Sequence, residues 1–117
     1  MSDALPVVVA PGAGQRVGNV EFLARSADTP RFNAGIITFA AGRRLEQHVH
    51  DDEDDSFYIL RGELVFEFGD ERVTAPAGTF VLVPPGVSHG FGNESGEDVL
   101  IFNIHAPAGF DLRITAD

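Results

Sequence analysis

Short apolar runs, broken at close intervals by turn residues, make up most of the chain. Alternation is clearest in Glu63-Leu64-Val65-Phe66-Glu67-Phe68. Leu64, Phe66 and Phe68 share one face there, because successive side chains of a strand point to opposite sides. Gly69-Asp70 then reads as a hairpin turn leading into Glu71–Ala75. Further β-type runs are Val7–Val9, Val17–Phe22, Phe32–Phe39, Ser56–Leu60, Arg72–Ala75, Phe80–Val83 and Val99–His105. The 13 Gly and 7 Pro are spread along the whole length instead of marking a linker. No stretch keeps apolar residues at i, i+3, i+4 and i+7 over three turns, so a long amphipathic helix is not indicated. About eight strands of roughly 5–6 residues predict an all-β domain closed as a small jelly roll.

Composition narrows the class. At 117 residues, of which 44% are apolar and ten are Phe, the chain has enough material for one core and is expected to form a single domain, 1–117. Eight basic residues, all Arg, face 18 acidic ones, for a net charge of −10. That excess repels phosphate backbones and anionic headgroups, which argues against nucleic acid and membrane surfaces as partners. Cysteine is absent, so disulfides and thiolate sites are excluded together. The start, Met1-Ser2-Asp3-Ala4-Leu5-Pro6, lacks the cationic and apolar regions of a signal peptide, and a cytoplasmic location is expected. The exposed edge strands of a small barrel, with the run Val7–Val9 as a pairing segment, predict a homodimer.

Candidate chemistry gathers at the histidines. His48 and His50 are separated by one residue, which on a strand projects both imidazoles from one face, about 7 Å apart along the backbone and within reach of a single metal ion. A lone His-x-His is weak evidence, and taken by itself it reads first as two ordinary surface or core histidines. Asp51-Asp52-Glu53-Asp54-Asp55 follows directly and reads as a solvated loop, with its last member set apart by its distance from the pair. The acids lack the spacing and central Gly of a calcium loop. Gly12-Ala13-Gly14 is not followed by the ending of a phosphate loop, Asn93-Glu94-Ser95 reads as a turn, and Ser88-His89 has no acid partner that would make a hydrolase triad.

The surroundings of the histidines are more specific. Gly42-x5-His48-x-His50-x4-Asp55-x6-Gly62 is followed, after the short segment Glu63–Ala77, by Gly78-x5-Pro84-x-Gly86-x2-His89-x3-Asn93. These two blocks resemble the paired motifs of the cupin superfamily, jelly-roll barrels of the double-stranded β-helix type. Every fixed position matches except one, where Asp55 stands in place of the family's Glu. The resemblance implies that His48, His50, Asp55 and His89 occupy metal-ligand positions. Gly62 is expected to form a tight hairpin, and Pro84-Pro85-Gly86 to turn the chain so that His89 returns beside the first two histidines.

Asp is one methylene shorter than Glu, about 1.5 Å. Asp55 therefore either ligates directly after a small shift of its strand, acts through water, or leaves a three-histidine site; Glu53 is the less suited alternative by parity. His105 either lines the same cavity or caps its strand. The donor set suits one divalent transition metal, whether Fe, Mn, Ni, Co, Cu or Zn. The resemblance implies an enzyme acting on a small organic molecule, most often by oxygen-dependent cleavage, and the string His48–Leu60 is similar to flavonol-dioxygenase-like members. There the metal serves as Lewis acid and Asp55 as general base. A non-catalytic ligand-binding module and a small isomerase or cyclase are the alternatives.

Overall fold

The computed structural model describes residues 5–114. The first four residues, on which part of the reading of the start depends, lie outside the described residues. Ten strands and one short helix follow in the order β1 (Gln15–Val17), β2 (Val20–Ala24), β3 (Asn33–Phe39), β4 (Arg44–His48), β5 (Asp54–Arg61), β6 (Glu63–Phe68), β7 (Glu71–Pro76), β8 (Phe80–Val83), β9 (His89–Gly92), β10 (Val99–Ala106) and α1 (Phe110–Arg113). They form two antiparallel sheets, one of six strands in the order β1-β2-β3-β10-β5-β8 and one of four in the order β4-β9-β6-β7. The all-β double-stranded β-helix expected from the pattern is the observed architecture. Among the described residues, no helix is long and apolar enough to cross a membrane.

The two inner faces meet over one core. Phe22, Ile37, Phe39, Phe57, Ile59, Leu64, Phe66, Phe91 and Ile101 are all nearly or wholly excluded from solvent. Alternation dictates this: Leu64 and Phe66 of β6 point inward, while Glu63 faces out. The rings of Phe57, Phe66 and Phe91 pack edge-on or tilted, with centroids 5.3–5.4 Å apart. Such offset pairs stabilise beyond the area they bury. The hairpin between β6 and β7 forms as predicted, with Phe68 opposite Glu71 and Gly69 at a φ of 61°.

Four expectations are corrected. Val7–Val9 forms no strand; Val7 and Val8 are 58% and 87% exposed and pair with nothing described. Val17–Phe22 is not one run, because Gly18-Asn19 turns the chain and makes a hairpin of β1 and β2. Gly62 does not close a hairpin within one sheet, since β5 and β6 belong to different sheets. It makes the corner between them at a φ of 89°, where a Cβ would lie 2.9 Å from Val99 Cγ2. Finally, β4 and β9 were not among the predicted strands. Their sequences, RLEQH and HGFG, carry little β-type signal, and they form through pairing with each other and with β6.

Candidate metal centre

Pairing across strands places the chemical groups. His48 of β4 is the register partner of His89 of β9. In the other sheet, Asp55 of β5 is the register partner of His105 of β10. All lie toward the space between the sheets. Gly90 permits the first pairing, because a Cβ there would sit 2.6 Å from the carbonyl oxygen of Leu45. His50 lies just past the end of β4, not on it. Its backbone carbonyl accepts a hydrogen bond from Gly86 N at 2.8 Å, which ties the loop after β4 to the Pro84-Pro85-Gly86 turn. That turn carries His89 back into the barrel, as expected. Gly42 and Asn93, at the outer ends of the two motifs, are also joined, Gly42 N donating to Asn93 O at 2.9 Å. Asn93 is buried, and its amide donates to Phe39 O and Glu97 O, so the turn reading of Asn93-Glu94-Ser95 is the structural one.

His48, His50, Asp55 and His89 each offer a ligand atom, and these atoms all lie within 4.8 Å of one another. The cluster could hold a metal ion. Its histidines are oriented from behind. Nδ1–H of His48 donates to Glu46 O at 3.0 Å, and Nδ1–H of His89 to Val87 O at 2.9 Å. These bonds select the tautomer that leaves Nε2 with a lone pair. His89 Nε2 faces Asp55 Oδ2 at 3.3 Å. A lone pair opposed to a carboxylate oxygen calls for positive charge between them, from a proton or from a metal ion. His50 Nε2, 3.5 Å from the same oxygen, is buried and has no hydrogen-bond partner. A buried nitrogen without a partner is costly unless something else engages it. The residues present therefore fit a divalent metal by donor type, by orientation and by this unsatisfied atom.

The shortness of Asp55 is met by its neighbours. Its carboxylate is 3% exposed. Oδ1 accepts from Asn103 Nδ2 at 2.8 Å and lies 3.3 Å from His105 Nε2, while Oδ2 turns toward His50 and His89. Asn103 was missed by sequence reasoning. The available signal was an amide at an inward position of β10, between the apolar Ile101 and His105. His105 lines the cavity and does not merely cap its strand. It is outside the four-residue cluster, with its ring stacked on Phe110 at 4.2 Å.

The acidic run is not a uniformly solvated loop. Asp51, Asp52 and Asp54 are exposed, but Glu53 is only 5% exposed. Both its oxygens accept from Arg113 Nη2 of α1, at 2.6 and 2.8 Å, and Oε1 lies 3.6 Å from His50 Nδ1. Parity misled here because the loop folds Glu53 inward to meet an arginine distant in sequence. Asn33 Oδ1 accepts from the amides of Gly109 and Phe110, and Ser26 Oγ donates to Asp111, so the segment carrying Arg113 is fastened at three places.

Burial, the largest influence, lowers the pKa of His50 and of His105, partly offset in both by the charge of Asp55. Burial acts the same way on His89, but its hydrogen bonds to Asp55 and to the Val87 carbonyl, with the Asp55 charge, outweigh it and raise that pKa. The cluster opens on a cavity of about 720 Å³ walled mainly by apolar side chains, among them Phe39, Phe57, Phe91 and Phe110. Three arginines also line it: Arg44 pairs with Glu67 at 2.5 Å and Arg113 with Glu53, whereas Arg43 has no ion pair among the described residues and lies over the Phe39 ring.

The family profile described as Cupin domain matches residues 35–105. No curated protein matches the chain. Among solved structures, KdgF from Halomonas sp. superposes with a TM-score of 0.71 at 22% identity, over 80% of this chain and 82% of its own. TT1209 from Thermus thermophilus gives 0.72 at 23% identity, over 89% of this chain and 100% of its own. A conserved protein with a double-stranded β-helix domain from Klebsiella pneumoniae gives 0.69 at 21%, over 93% of each chain. At such identities these likenesses speak for the fold.

Proposed function

The chain belongs to the cupin domain family, and on that premise we propose that it is a metal-dependent enzyme acting on a small organic molecule, in an oxygen-dependent, dioxygenase-like reaction. The observation that carries the reading is the convergence of three imidazoles and one buried carboxylate on a cavity of about 720 Å³ with apolar walls. Three or four protein ligands would hold the ion, which would leave a five- or six-coordinate metal room for a small molecule. A bound ion supplies Lewis acidity, polarising a substrate oxygen.

The chain's own residues do the rest. His48, His50 and His89 hold the ion, their rings aimed by the Glu46 and Val87 carbonyls and by the loop contact at His50. Asp55 completes the set and serves as general base toward an enolisable substrate, a role supported by the hydrogen bond that fixes Oδ1 to Asn103 and leaves Oδ2 turned toward the histidines. The phenylalanine walls exclude water and accept an apolar or aromatic body. Arg43, the cation on the lining without an ion partner among the described residues, favours a substrate that also bears an anionic group. Support for the oxygen-dependent class comes from the resemblance of His48–Leu60 to flavonol-dioxygenase-like members.

The test is oxygen consumption by protein reconstituted in turn with iron(II), manganese, nickel, cobalt, copper and zinc, against a panel of enolisable aromatic substrates including flavonols. Turnover with at least one ion, lost together with bound metal in His50→Ala, is the expected result. Tight ligand binding without turnover across the panel would make this a binding module instead.

A further inference from the structure

Of the three histidines in the cluster, His50 alone has no hydrogen bond behind its ring among the described residues. Nδ1–H of His48 and of His89 each donates to a backbone carbonyl. At His50 the bond from Gly86 N holds the backbone and leaves the ring free to turn. Its Nδ1 instead faces Glu53 Oε1 at 3.6 Å, too long for a full hydrogen bond. Glu53 is 5% exposed, whereas Asp51, Asp52 and Asp54 around it are exposed. Its two oxygens share a single donor among the described residues, Nη2 of the half-exposed Arg113. A carboxylate can accept about four hydrogen bonds, and a buried one is stable only when its charge is well met. This one is half served, with an imidazole nitrogen as its other neighbour.

Arg113 belongs to residues 108–114, which follow β10 and return to the cavity, where Phe110, Arg113 and Ile114 form part of the wall. The helix within them has only four residues and buries none of them fully. The segment is therefore held by separate ties. Ala108 N donates to Pro30 O, Phe110 N to Asn33 Oδ1 and Ser26 Oγ to Asp111, and the Phe110 ring lies on His105. A segment with so little buried surface opens at low cost, so one tie more or fewer shifts its population.

We propose that Glu53 is the positioning residue for His50, and that through it metal binding and docking of residues 108–114 favour one another. The inference rests on the metal assignment above and not on the reaction proposed for it. With Nε2 given to an ion, the proton of His50 resides on Nδ1, and that N–H is drawn to Glu53 Oε1. The carboxylate then aims this ring as the two carbonyls aim the others. The positive charge behind Nδ1 also supplies Glu53 with the partner it lacks, which keeps it turned inward where Arg113 meets it. Coupling between two such events is reciprocal: what the docked segment gives to the ion, the ion returns to the segment.

Cobalt(II) titration of the full chain, read by visible absorption, and hydrogen exchange with and without zinc test the proposal. Glu53→Gln keeps the shape and removes the charge; it should bind cobalt about 10- to 100-fold more weakly, with altered visible bands at saturation. Arg113→Ala should weaken binding in the same direction, and Arg113→Lys should restore part of the loss. Asp52→Asn removes the same charge from an exposed position of the same run and should bind as wild type does. In wild type, zinc should slow exchange of the Phe110 amide beyond any change at the amides of β7, and in Glu53→Gln that difference should vanish. The wild-type exchange needs no variant, so the proposal is decided even where a substitution unfolds the chain. Cobalt affinity unchanged in Glu53→Gln, equal weakening in Asp52→Asn, or wild-type Phe110 exchange indifferent to zinc overturns the coupling and leaves the metal site standing. A wild type that takes up neither ion removes the metal site and the coupling with it.

Discussion

Replacing Asn103 by Ala isolates what holds Asp55 in place. The amide is 4% exposed, and its Nδ2 donates to Asp55 Oδ1 at 2.8 Å and to Ser56 O at 2.9 Å. A hydrogen bond to a charged group contributes about 1.5–3 kcal/mol and a neutral one about 1 kcal/mol. The small void left behind adds to the loss, and water entering beside Asp55 subtracts from it. Together these give a destabilisation of about 2–4 kcal/mol. For a domain of this size that lowers the melting temperature by roughly 8–20 °C. Urea unfolding of chelated protein measures the first effect. Titration with a divalent ion measures the second: with one of its holders gone, Asp55 swings more freely and affinity falls about 10- to 100-fold, the usual cost of losing a partner behind a ligand. Asn103→Asp is the informative companion, because it keeps the shape, removes the donor and opposes two carboxylates. Stability within about 0.5 kcal/mol of wild type in Asn103→Ala, with unchanged affinity, would refute the claim that this amide positions the carboxylate.

Other perturbations have equally definite outcomes. Lowering the pH from about 8 to about 5 should release bound metal, since protonated imidazole cannot ligate; metal content after desalting measures it, and retention throughout would oppose the ligand assignment. In metal-free protein the histidines act in opposite directions. The raised pKa of His89 contributes stability that is present below about 6.5 and is lost as the pH rises through its folded value, while the lowered pKa values of His50 and His105 cost stability as the pH falls through about 6.5. With metal present, unfolding free energy should rise with pH, because ligation needs the neutral imidazoles. Arg113→Ala leaves Glu53 buried without its partner; because the Arg113 side chain is 51% exposed, the expected loss is about 1–2 kcal/mol and not the larger figure of a fully buried pair, with faster hydrogen exchange at the Phe110 amide. Gly62→Ala should cost about 1–3 kcal/mol by urea unfolding, from a φ of 89° and the clash with Val99.

How much of this was legible follows from which forces act locally. β6 showed in the alternation because Leu64 and Phe66 are apolar and buried while Glu63 is not, whereas β7, β8 and β10 showed as short runs of β-type residues between turns. The histidine spacing was legible for the same reason, as both motifs carry their glycines at corners that need positive φ, Gly42, Gly62, Gly78 and Gly86 among them. What stayed hidden depends on contacts distant in sequence. Glu53 is drawn inward by Arg113, 60 residues away. β4, whose residues carry little β-type signal, is a strand because Gly90 of β9 lets it pair closely. Val7–Val9 has the composition of a strand but no strand partner among the described residues, and unpaired β-type residues do not make one.

The substitution at position 55 shows why a spacing can be kept while a residue changes. In a strand pair, the reach of a side chain trades against what the partner strand presents beside it. Asp55 lies opposite His105, with Asn103 the next inward residue of β10, and both contact its Oδ1. A carboxylate one methylene longer would carry its oxygens past these two groups and into the imidazoles of His50 and His89, which already stand 3.5 and 3.3 Å from Oδ2. Polar residues at 103 and 105 thus define a recess that suits Asp, with one oxygen fixed to the β10 wall and the other directed at the histidines. The shorter acid does not leave the cluster incomplete; the strand beside it has moved the point of attachment. On this argument Asp55→Glu alone should be harmful, and it should become tolerable only when Asn103 is replaced by a smaller residue that lets the longer chain fold back. Metal titration of the single and double variants checks it, and a single variant that binds as tightly as wild type would undo the argument.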